Sequence, residues 1–71
     1  MEYVIVIHPA QEGGYWAEVP ALPGCFAQGE TLDEVLEDVR DAIAAHLSAL
    51  RDDGQRVPDE RVIITTVAAA V

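Results

Sequence analysis

Seventy-one residues are enough for one domain and too few for two. A chain this short buries only roughly 60% of its unfolded surface, and its single cysteine excludes an intrachain disulfide as a staple. Thirteen acidic residues against four arginines give a net charge of −9, a surface that repels nucleic acid and suits either solubility or a basic partner.

Residues 3–8, YVIVIH, are β-branched and aromatic and predict a first strand, apolar on both faces. PAQEGG, 9–14, is a turn, and YWAEVP, 15–20, a second strand; the two make a hairpin that Pro20 ends. In ALPG, 21–24, Pro23 fixes φ and Gly24 suits the next corner of a type II turn. CFAQG, 25–29, is a short third strand. Thr31 and Glu34 then form a capping box. Leu32, Val35, Leu36, Val39, Ile43, Leu47 and Leu50 follow at spacings of three and four, the apolar stripe of one long helix. Its opposite face carries Asp33, Glu34, Glu37, Asp38 and Asp41, and Gly54 marks its end. QRVPDE, 55–60, connects to RVIITTV, 61–67, which predicts a fourth strand. The closing AAAV has no readable role.

The order β-β-β-α-β predicts an α+β, two-layer domain over residues 1–71. A right-handed crossover sets strand four parallel to strand one, giving a four-stranded mixed sheet in the order 3-2-1-4 with one helix on it. One helix leaves the other face of the sheet bare. A second copy is expected to bury that face, most simply as a two-fold dimer. Tyr15 and Trp16 point to opposite sides; with Phe26 they are the candidate interface residues.

The chemistry-bearing residues point away from catalysis. Cys25 stands between Gly24 and Phe26 in an acidic chain, without the base that would activate a thiol. His8 and His46 lie far apart and in no ligand-spacing motif. The helix carboxylates belong to one element, whereas a hard-cation site gathers ligands from several. No phosphate loop, dinucleotide fingerprint or nucleophile elbow is present. No catalytic residue, cofactor or metal is expected, and no direct nucleic-acid partner. Glu2 stands where a signal peptide would carry basic residues. No apolar run reaches the ~20 residues of a membrane span. A cytoplasmic protein without a membrane partner is expected.

Residues 14–43 carry a resemblance. Gly14-Tyr15 with Ala17, then Pro20, Leu22, Pro23, Gly24 and Cys25, then Gly29-Glu30-Thr31, and finally Gly54 with Val57-Pro58, resemble the N-terminal domain of HicB-like antitoxins. The resemblance covers roughly residues 3–64, and Pro-x-Leu-Pro-Gly-Cys is its most specific part. It implies a partial ribonuclease-H-like fold without nuclease chemistry, since strand one carries no acid to hold metals. Pro20 to Cys25, with Thr31 and Glu34, are then structural. The chain departs from complete members of that family, which usually append a DNA-binding module, and a short standalone member without one is expected. The implied function is neutralisation of a small basic HicA-type messenger-RNA interferase. The alternative is an orphan homo-oligomer with a structural or regulatory role and an unknown ligand.

Overall fold

A computed structural model describes residues 2–70; Val71, the end of the alanine-rich tail, lies outside them. Strands β1 (Val6–Pro9), β2 (Tyr15–Glu18) and β3 (Phe26–Gly29) form an antiparallel meander in the order β1-β2-β3. Helix α1 (Leu32–Asp52) packs across β3 and β2. The register sets Ile7, Ala17 and Ala27 in one row and His8, Trp16 and Gln28 in the next. Adjacent rows face opposite sides of a pleated sheet. The first row lies under the helix, where Ala17 and Ala27 are buried and Ile7 packs against them. Their small side chains let Val35 and Val39 of α1 come down onto the sheet, and both valines are buried.

The Pro20–Cys25 stretch is two successive tight turns. Leu22 N–H donates to Val19 C=O at 2.9 Å and Cys25 N–H to Leu22 C=O at 3.0 Å. Gly24 has φ +87, the left-handed corner that a type II turn requires after Pro23. The double turn swings Val19, Leu22 and Cys25 inward, and all three are buried. β3 then leads into the helix cap. Glu34 N–H donates to Thr31 Oγ1 at 3.1 Å, and the Glu34 carboxylate accepts from Glu30 N–H at 2.9 Å. Gly29 lies directly beneath this first turn. A Cβ there would sit 2.5 Å from Val35 N and 2.9 Å from Glu34 Cβ. Leu32 and Leu36, assigned to the apolar stripe from their spacing, lie on its flank and are 49% and 38% exposed.

The expected fourth strand is absent, and the four-stranded mixed sheet of order 3-2-1-4 is corrected to three antiparallel strands. The β-β-β-α-β order becomes β-β-β-α among the described residues. The chain does return to the start of the sheet. The Tyr3 hydroxyl donates to Pro58 C=O at 2.8 Å, and Val4 N–H donates to the Glu60 carboxylate. A side chain rather than a backbone ladder meets that amide, and the chain then leaves. Residues 61–70 run on without strand pairing, with Ile63 and Val67 each 89% exposed. β-Branched residues favour extended backbone but do not provide a neighbour to pair with. The same lack of a neighbour leaves residues 3–5 outside β1.

Candidate functional site

The alternation that buries Ile7, Ala17 and Ala27 turns Val6, His8, Trp16, Glu18 and Phe26 to the face without a helix. The centre of this face is aromatic. His8 stacks on Trp16, with ring centroids 4.2 Å apart and planes inclined by 16°. Phe26 tilts against the same indole at 6.3 Å and 54°. His8 Nε2–H donates to the Glu18 carboxylate at 2.9 Å, which fixes the imidazole over the indole. Trp16 remains 37% and Phe26 61% exposed. Aromatic side chains held wet on an ordered sheet are the usual material of binding hot spots.

At the tip of the β1–β2 hairpin, a shallow groove runs from Trp16 and Tyr15 to Glu12, Glu30 and Glu34. Glu34 is committed to the Glu30 amide. Glu12 and Glu30 are exposed, so the aromatic centre has an anionic rim on this side. Such a rim steers a cationic partner toward the aromatic contact.

The structure divides the three candidate interface residues. Trp16 and Phe26 meet on the helix-free face, whereas Tyr15 points to the helix side and packs against the core. Val6 and His8 join the face although neither was singled out for it. Their signal is the hairpin register, which sets His8 opposite Trp16 and Val6 opposite Glu18.

Two titratable groups elsewhere have structural roles. Cys25 is buried, and burial pushes its thiol above the ordinary value of 9.0, so it carries little thiolate at neutral pH. Asp38 on α1 accepts a hydrogen bond from Gln28 N–H at 2.9 Å, tying the helix to β3. Among the described residues, no three His, Cys, Asp or Glu side chains are grouped to hold a metal ion. No helix among them is long and apolar enough to cross a membrane.

Residues 3–70 match the family model described as the HicB_like antitoxin of bacterial toxin-antitoxin system. A UPF0150 protein of Thermoplasma acidophilum is 38% identical over 97% of this chain and 100% of its own length. The fold is similar to the crystal structure of the N-terminal domain of Burkholderia pseudomallei antitoxin HicB. There the TM-score is 0.74 at 32% identity, over 87% of this chain and 73% of that one. It is also similar to a chain of the HicA3 and HicB3 toxin-antitoxin complex, with a TM-score of 0.71 at 30% identity, over 84% of this chain and 70% of that one.

Proposed function

The chain belongs to the HicB-like antitoxin family of bacterial toxin–antitoxin systems, and from that membership we propose that it is a non-enzymatic protein-binding module that neutralises a small basic toxin, a HicA-type messenger-RNA interferase. The observation that carries this reading is the exposed aromatic face built on Trp16 and Phe26. A rigid sheet presents both rings with little conformational freedom left to lose on binding. The net charge of −9 and the Glu12–Glu30 rim favour a cationic partner. The buried Cys25 and the backbone-bonded Glu34 and Asp38 support a role without chemistry of its own. A partner that cuts messenger RNA places the protein's work in the cytoplasm.

The test is inhibition of a basic HicA-type toxin in a ribonuclease assay. Equimolar wild-type chain is expected to suppress cleavage. Trp16→Ala combined with Phe26→Ser should weaken suppression by about tenfold or more, with an unchanged circular dichroism spectrum. Full suppression by the folded double variant would move the contact off this face. No suppression by the wild type would overturn the toxin reading.

A second reading, compatible with the first, is favoured by the C-terminal residues. Ile63, Ile64 and Val67 are 70–89% exposed, and each large aliphatic left wet forgoes about 1.5–3 kcal/mol. A homo-oligomer, most simply a two-fold dimer, would cover them. Sedimentation at micromolar concentration decides this: a single monomeric species removes the second reading and leaves the first standing.

A further inference from the structure

Both outer strands of a three-stranded sheet have an open side. Ala10 N–H donates to Gly14 C=O and Val19 N–H to Cys25 C=O, which sets the phase of both ladders. In an antiparallel pair, bonded and non-bonded residues alternate. His8 and Val6 therefore bond to β2, while the N–H and C=O of Ile7 point outward, beside a Pro9 that has no N–H to offer. On β3 the same alternation turns Gln28 outward, and there the Asp38 carboxylate already occupies its N–H. No group among the described residues does the same for Ile7. Asp38 takes one of the two outward amides of β3 and leaves that of Phe26, while β1 keeps that of Ile7.

The segment after Glu60 has the complementary properties. It is unpaired and apolar at both parities, with Val62 and Ile64 at even positions and Ile63 and Val67 at odd ones. From Val62 onward it carries no charged side chain, in a chain whose net charge is −9, so its side chains meet another acidic chain without repulsion. Its root lies beside the β1 edge, because Glu60 bonds to Val4, two residues before β1. From that root it leads away from its own sheet. The radius of gyration is 14.1 Å, against about 11 Å for a compact domain of this length, and the longest extent is 48 Å against 28 and 18 Å for the others.

We infer that the C-terminal arm, residues 61–70, adds as a strand to the open edge of β1 in a second copy of this chain, reciprocally about a two-fold axis. The inference rests on the self-association reading above and not on the toxin. Adjacency of root and edge makes the exchange close. An axis near Val4 and Glu60 lays each arm on the other subunit's β1 in one step, so a single isologous contact satisfies both copies. Ten extended residues reach roughly 33 Å, more than the four-residue β1 needs. Backbone bonds give the pairing its register, and alternate arm side chains gain cover on both faces.

The experiment uses the full chain. Successive strand N–H groups point to opposite edges, so one of Thr65 and Thr66 donates to the partner's β1 and the other to solvent. Proline is tolerated only at the solvent-facing position. One of Thr65→Pro and Thr66→Pro is expected to raise the dimer dissociation constant by about tenfold or more and the other to leave it nearly unchanged. Both sites are exposed and unpaired in the subunit, so circular dichroism should not change. In dimers mixed from isotope-labelled and unlabelled chains, filtered nuclear Overhauser spectra should connect β1 of one copy to the arm of the other. A dimer indifferent to both prolines would overturn the exchange while self-association stands. Contacts between β1 and the arm of the same chain would overturn it too. A wild-type monomer would remove both.

Discussion

Cys25 is 4% exposed, and burial holds its thiol above 9.0. It is placed by the Val19–Leu22–Cys25 double turn and packs with Val19 and Leu22 in the core. Cys25→Ser is expected to leave toxin suppression and oligomer state unchanged, and to lower stability by at most about 1–2 kcal/mol through burial of a hydroxyl. A folded Cys25→Ser protein without suppression would contradict the structural role. The raised value also has a sign. Below 9.0 the thiol is neutral in both states and its contribution is present in full. As pH rises further, the unfolded thiol ionises first and the contribution is lost through the folded value. Urea midpoints should therefore fall from neutral to alkaline pH more steeply in the wild type than in Cys25→Ala. The turn around Cys25 was legible because Pro23 restricts φ and Gly24 admits the positive φ of the next corner. Asp38 was not. On a helix surface its carboxylate looks like any solvated acid, and only the approach of β3 brings Gln28 N–H to it.

At the scale of elements, α1 was the most legible, since Thr31, Glu34 and the valine spacing all act within the helix itself. The strands were legible as extended segments and less so as a sheet. The hairpin fixed which residues of β2 face outward, hence Trp16 beside Phe26. The 61–67 segment has the same composition as a paired strand, yet pairing is decided by a neighbour that local residues do not specify. The contact between β3 and α1 was hidden in the same way. Gly29 read as the end of the third strand, but its lack of a side chain is what lets the helix start seat on the strand. Gly29→Ala would push against the backbone of Val35 and Glu34. It should destabilise by about 1–3 kcal/mol in urea unfolding, and Thr31→Ala by about 1 kcal/mol through loss of the cap. Wild-type stability in Gly29→Ala would mean that the helix shifts freely on the sheet.

For the whole molecule, charge decides first. A 71-residue chain with net charge −9 has no cluster of cations to displace counterions from a duplex. No binding to duplex DNA tighter than about micromolar is expected near physiological salt, and a saturable anisotropy titration below that limit would contradict this. The toxin contact, by contrast, should associate more slowly as salt rises, because the acidic rim acts through long-range steering. The Asp38 contact on the β3 edge bears on the solution behaviour of the protein. A molecule that offers a sticky strand and two receptive sides can link without end, as fibres do, and a crowded cell offers ample opportunity. Asp38 weakens the β3 side by occupying the Gln28 amide, one of its two outward donors. Asp38→Ala should therefore convert a finite particle into one that grows with concentration, visible as rising turbidity and heavy species in light scattering. An unchanged particle size would show that something other than this carboxylate limits growth. If the arm does exchange between copies, a residue that binds no ligand helps to keep a half-finished sheet from becoming a polymer.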